Sequence, residues 1–177
     1  MNADFFNALD LLEKENGISK EYMIAQIELA LSLDLPVIVH DREAHGDCLE
    51  IVRDYPTLRG VFHCFSGSVE MARELVKRGW YLGFDGPLTY KNARKTVEVA
   101  EAIPFERIVV ETDSPYVLPA CKDVLPPKLV RRTRNSSLIL PRVIDEIARL
   151  KGISSEEAER ITAQNAIRLY RLPGYEK

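Results

Sequence analysis

The chain has 177 residues, with 24 Lys and Arg against 27 Asp and Glu, a formal net charge of -3 and a pI near 5.7. Its 46% hydrophobic and 29% charged content is that of a soluble globular protein and excludes disordered and collagen-like classes. No apolar run approaches the roughly 18 to 20 residues of a membrane helix, and MNADFF has neither the basic start nor the apolar core of a signal peptide. The expected location is the cytoplasm, with no membrane partner.

In chain order, FFNALDLLEKENG carries Phe5, Leu9 and Leu12 at helical spacing, so residues 1–18 read as a helical lead-in to a turn at Gly17. From Lys20 to Leu33, Met23, Ile24, Ile27, Ala30 and Leu31 mark one buried helix face. Pro36 forbids continuation, and the β-branched run VIVH begins a strand that ends on His40. Residues Ala44 to Arg53 read as helix, and Gly60 leads into GVFH, which ends on His63. Ser68 is placed to cap a helix running to Arg78, with Gly79 as its stop, and WYLGF (80–84) is the next strand. A helix over Tyr90 to Ala102 is broken by Pro104, and RIVVE (107–111) is a fourth strand. Helices then follow at Ser137–Lys151, Ser154–Ala163 and Asn165–Tyr170, with Gly152 between the first two.

Strand ends 20 to 30 residues apart match the length of a βα unit and imply parallel strands joined by crossover helices. The fold class is therefore α/β, with about four parallel strands and flanking helices in a single domain over 1–177. Such strands, buried on both faces, carry their chemistry just past their carboxyl ends.

His40, His63 and Asp113 occupy those positions. The two histidines lie 23 positions apart, too far for a helical metal motif, but neighbouring parallel strands bring both imidazoles to one rim. Two imidazoles suit zinc, nickel, cobalt or iron(II), and a carboxylate extends the set to manganese. Three protein ligands with an open position describe a catalytic centre in which bound water is the nucleophile. Taken singly, Asp113 could instead cap the turn after its strand, and either histidine could be a hydrogen-bonded structural residue. The two histidines placed alike on successive strands favour the metal reading.

Asp41, Arg42, Glu43 and His45 follow the first strand, Ser66 the second, and Glu111 and Ser114 flank Asp113. Metal-bound imidazole donates its second N–H to an oxygen, so Asp41, Glu43 or Glu111 is expected to orient a ring. His45 either reaches a substrate phosphate or is an exposed helix residue. A loop from Ser114 to Asn135 is long enough to be functional. Within it Lys128, Arg131, Arg132 and Arg134 face phosphate or simply solvent. Cys48, Cys64 and Cys121 are odd in number and lack CxxC spacing, which fits a reducing compartment; Cys64 reads as a small buried residue or, less simply, a nucleophile.

The segments PVIVHDREAHGD, GVFHCFSGS, YLGFDGPLTYKNARK and IVVETDSPY, with the tail NAIRLY, resemble the TatD-related metal-dependent hydrolases, a branch of the amidohydrolase-like TIM barrels. The likeness covers residues 19–172. It implies a partial (β/α)8 TIM-type barrel and a divalent metal ion, whether zinc, manganese, magnesium, nickel or cobalt. It also implies hydrolysis of phosphodiester bonds in DNA. By position, His40 and His63 match two histidines that bind one metal, and Asp113 matches the aspartate that binds the other and acts as the catalytic base. Arg134 and Asn135 fall in the family's RGKRNEP stretch, which here reads RRTRNSS.

The family also begins with a His-x-His strand and carries a bridging Glu on its fourth strand. Here no HxH occurs, and Phe6 aligns with that Glu, so the chain is expected to hold the carboxyl-terminal half of the barrel and at most one metal. Four strands cannot close a barrel, and pairing of open edges into a homodimer is the expected remedy. Two other functions fit the same residues: a catalytically inactive remnant that binds metal or a partner, and a mononuclear amidohydrolase-like esterase or lactonase.

Overall fold

The computed structural model describes residues 20–120 and 133–175. Helix α1 (Lys20–Ser32) ends in a Schellman turn: the Leu35 N–H donates to the Ala30 carbonyl at 2.8 Å and the Asp34 N–H to that of Leu31 at 3.2 Å, with Asp34 left-handed at φ 51°. Pro36 follows, and the chain then alternates strand and helix through β1 (Val37–His40), α2 (His45–Asp54), β2 (Gly60–His63), α3 (Val69–Lys77), β3 (Tyr81–Phe84), α4 (Arg94–Ala102) and β4 (Ile108–Val110). Helices α5 (Leu140–Lys151) and α6 (Ser155–Tyr170) close the described chain. All four strands are parallel in the order β1-β2-β3-β4, as the βα spacing predicts.

The sheet register decides which residues share a face. Val39 pairs with Phe62 and His40 with His63, and strand residues alternate sides. One face carries Phe62, Leu82, Phe84 and Ile108 into a core with Val52, Leu75, Trp80, Val99 and Ile147 from the helices. Trp80 lies edge-on to Phe62 at 5.3 Å. Burial of this many large side chains is the main stabilising term, and truncation of one such aromatic costs about 3–5 kcal/mol.

The opposite face carries Ile38, His40, Val61, His63, Tyr81, Gly83, Val109 and Glu111. At its amino end Leu169 of α6 covers Val61 and Val109. Arg59 Nη1 anchors that helix end by donating to the Leu169 carbonyl at 2.7 Å. Asn165, fully buried, donates from Nδ2 to the carbonyls of Phe105 and Ile108 at 2.8 Å each, tying α6 to the start of β4. The carboxyl end of the same face is left to polar residues.

Several local expectations hold. Ser68 Oγ accepts from the Met71 N–H at 3.3 Å, and Gly152 ends α5 in the left-handed region at φ 68°, where a Cβ would be strained. Three boundaries differ. The helix expected from Ser137 starts at Leu140, after a 3-10 turn over Ser137–Ile139. The helix expected from Tyr90 starts at Arg94, because Gly86-Pro87 opens a 3-10 turn (Gly86–Thr89) that Tyr90 closes with its N–H on the Pro87 carbonyl. The two helices expected after Ser154 are one continuous α6: Gln164 breaks nothing, and Asn165 spends its side chain on β4 rather than on a cap. The expected lead-in helix with Phe5, Leu9 and Leu12, and the Gly17 turn, lie outside the described residues. Among the described residues no helix is long and apolar enough to cross a membrane.

Candidate metal centre

His40 and His63 end adjacent strands in direct register, and their rings stack with centroids 5.7 Å apart and planes 28° from parallel. Glu111 follows β4 on the same face and reaches across β3 to place Oε2 2.6 Å from His63 Nδ1. The same oxygen accepts the Cys64 N–H at 3.0 Å. Gly83 makes this reach possible, since a Cβ there would overlap the Glu111 carboxylate. On its other side, His63 Nε2 faces Asp113 Oδ1 at 3.3 Å.

Electrostatics follow from that chain of contacts. The Glu111 hydrogen bond lifts His63 to about 9, against the lowering effect of burial and with help from the Asp113 charge. A protonated His63 donates from both nitrogens. Loss of the Nε2 proton leaves a lone pair pointed toward Asp113 while Glu111 keeps Nδ1–H, which is the tautomer a metal-binding histidine needs.

Backbone strain marks the same rim. Cys64 and Asp113, directly past β2 and β4, are left-handed at φ 46° and 50°. Glu111 pins Cys64, and Asn135 braces the Asp113 turn. Asn135 is buried, and its Nδ2 donates to the carbonyls of Thr112 at 2.5 Å and Tyr116 at 2.8 Å. A residue expected at the substrate surface is thus a support for Asp113.

The residues singled out in sequence sort into three groups. His40, His63, Glu111 and Asp113 come together. Asp41 and His45 form a second pair, Asp41 Oδ2 lying 2.7 Å from His45 Nδ1 and Oδ1 accepting the Ala44 N–H, so Asp41 orients His45 rather than a strand-end ring. His45 and Ser66 line a cavity of about 310 Å3 with Ser68, Glu70, Lys95 and Glu98. Arg42, Glu43 and Arg134 are exposed. Cys121, Lys128, Arg131 and Arg132 lie outside the described residues. Burial, with nearby Asp85, pushes the Cys64 thiol up to about 12, so it is not a thiolate nucleophile at neutral pH.

One residue escaped the sequence reading. Asp85 follows the strand YLGF as His63 ends GVFH, and the strand-end rule that picked out the other candidate residues applies to it equally. It is 3% exposed, its Oδ1 accepts from Cys64 Sγ at 3.3 Å, and burial raises its carboxyl to about 6 with Glu111 and Asp113 adding to the effect.

The donor chemistry fits a divalent cation of the borderline, nitrogen- and oxygen-liking kind. The His40 imidazole and the Glu111 and Asp113 carboxylates each meet His63 pairwise. Among the described residues, no three His, Cys, Asp or Glu side chains already surround one point.

Four parallel βα units with a histidine and carboxylate rim at their carboxyl ends define a chain of the TIM-barrel, amidohydrolase-like class. The chain belongs to the TatD related DNase family, whose description matches residues 9–171. It is 41% identical over 157 residues to the uncharacterized metal-dependent hydrolase YabD of Bacillus subtilis, covering 88% of this chain and 58% of that protein. It is 37% identical over 154 residues to a 3'-5' ssDNA/RNA exonuclease TatD of Erwinia billingiae, covering 84% and 57%. The crystal structure of YJJV, a TatD homolog from Escherichia coli, superposes with a TM-score of 0.72 at 27% identity over 84% of this chain and 54% of that one. A TatD family hydrolase from Entamoeba histolytica, at 24% identity and a TM-score of 0.68 over 86% and 57%, shares the fold. The chain spans a little over half the length of the curated relatives it matches.

Proposed function

We propose that this chain supplies the carboxyl-terminal part of a TatD-type metal-dependent hydrolase site that cleaves phosphodiester bonds in nucleic acid. One observation carries the reading: His63 is held by Glu111 through Nδ1 and faces Asp113 through Nε2, with His40 stacked beside it. The family match and the relatives' names as metal-dependent hydrolases and as an ssDNA/RNA exonuclease support it.

In this reading His40, His63 and Asp113 hold a zinc, manganese, magnesium, nickel or cobalt ion. Such an ion, when bound, supplies Lewis acidity to a phosphoryl oxygen and makes water a nucleophile at neutral pH. The protein's own groups do the rest. Glu111 stops the His63 ring from turning and keeps Nδ1 protonated. Asp113 would serve as the general base for the attacking water. His45, its ring fixed by Asp41, and the exposed Arg134 meet the phosphate. Free Cys48 and Cys64 suit a reducing compartment and support a cytoplasmic location in this reading.

Incubation of the full chain with Mn2+ and single-stranded DNA tests the proposal, with degradation expected from the wild type and none from His63→Ala. Turnover of a model ester without DNA cleavage would move the function to an esterase or lactonase. Metal binding with no turnover of either would leave a non-catalytic metal-binding module.

The open sheet supports a companion proposal, that a second copy pairs with the first. β1 and β4 are the edges of the described sheet, and Ile38 is 63% exposed on the face that carries the site. Light scattering across a concentration range should then give the mass of a dimer, and a monomer throughout would exclude it.

A further inference from the structure

Asp85 is the residue that the site as described does not use. It sits one residue beyond β3, in the alternation that puts Tyr81 and Gly83 on the same face as His63 and Glu111. The residue is 3% exposed, and one carboxylate oxygen, Oδ1, is engaged by the Cys64 thiol. The other, Oδ2, is the buried side-chain nitrogen or oxygen that finds no hydrogen-bond partner among the described residues. An uncompensated polar atom in that position is expensive unless something not contained in the chain meets it.

The neighbourhood says what that something is. Glu111 and Asp113 add negative charge beside Asp85, His63 is the nearby cationic group, and Cys64 links Asp85 to Glu111 through its thiol and its N–H. A third carboxylate set against two others is unfavourable for the chain alone and favourable for a divalent cation held among them. We infer that Asp85 belongs to the cation-holding set of this centre, presenting its free Oδ2 to the ion directly or through one bound water. The inference rests on the metal reading of His40, His63 and Asp113 and adds to it a carboxylate from the strand between the two that carry His63 and Glu111.

Placement on β3 also gives Asp85 a positioning role. The Cys64 backbone is left-handed, and Asp85 and Glu111 grip that residue from its side chain and its N–H respectively. A cation drawing on Asp85 therefore acts on the residue next to His63.

Titration of the 177-residue chain with Mn2+, read by the electron paramagnetic resonance of the free ion, tests this beside melting of the metal-free proteins. The variants are Asp85→Asn, which keeps the shape and removes the charge, and His63→Ala. The expected result is a loss of Mn2+ affinity of about tenfold or more in Asp85→Asn, with a metal-free melting temperature equal to or above that of the wild type, because a buried carboxylate whose Oδ2 had no hydrogen-bond partner is removed. Wild-type affinity in Asp85→Asn together with lost affinity in His63→Ala overturns the role of Asp85 and leaves the metal centre standing. A lower metal-free melting temperature in Asp85→Asn assigns the residue to packing and also overturns it. Unchanged affinity in His63→Ala, or no Mn2+ binding by the wild type, overturns the metal reading itself.

Discussion

Glu111 Oε2 lies 2.6 Å from His63 Nδ1 although β3 runs between their strands. A contact that skips a strand needs a long acidic side chain on one side, a ring on the other and nothing in between. Gly83 provides the gap. The pairing fixes the tautomer and angle of His63, so the imidazole is already arranged before any ligand arrives.

Glu111→Gln should release that hold. The amide removes the negative charge that lifts His63, so the ring returns from about 9 toward its ordinary 6.5, which an NMR titration of the imidazole protons reads directly. Divalent-cation affinity should fall by roughly 10- to 100-fold. A His63 that still titrates near 9 in this variant would show that another group raises it.

Gly83→Ala tests the gap. Its methyl would occupy the place of the Glu111 carboxylate, which must swing away from both His63 and the Cys64 N–H. Forcing a methyl into a packed position costs about 1–3 kcal/mol. Urea unfolding should show that loss, and His63 should titrate as it does in Glu111→Gln; a variant as stable as the wild type would contradict the crowding.

The metal-free chain should become less stable as pH rises from about 6.5 to about 9. His63 binds its proton more tightly folded than unfolded, so its contribution is complete below 6.5 and is lost as pH passes through the folded value near 9. Asp85 acts in the same sense between its ordinary 3.8 and about 6, since burial favours its protonated form in the folded state. Glu74, held down at about 2 by Arg53, works the other way, and only below its ordinary 4.5. Urea midpoints measured from pH 6 to 9 check the first of these. Cation binding should also release a proton near neutral pH, visible in calorimetry as a dependence on buffer ionisation heat.

Asn135→Ala should loosen the Asp113 turn. The Thr112 and Tyr116 carbonyls lose their donor, at about 1–3 kcal/mol for each buried group left unsatisfied. Hydrogen exchange at the Tyr116 amide, which donates to the Asp113 carbonyl, should accelerate. Protection equal to the wild type would mean that the turn holds without its brace.

Period and punctuation in the sequence carried the fold a long way. Continuous β-branched runs ending on His40 and His63, with helical spacing and a Pro or Gly between them, are local signals, and they determined four parallel βα units and the rim at which the two histidines meet. The helix boundaries at Arg94 and within α6 were less legible, because they depend on the 3-10 turn at Gly86-Pro87 and on the hydrogen bonds of Asn165 to a strand 57 residues away. The same limit applies at the site. That Glu111 serves His63, that Asp41 serves His45, that Asn135 is buried and braces the Asp113 turn, and that Asp85 is buried with an unmet oxygen all depend on distances between strands and on what solvent is excluded. Periodicity reports which side of its own strand or helix a residue faces; only the packed sheet decides what stands opposite it.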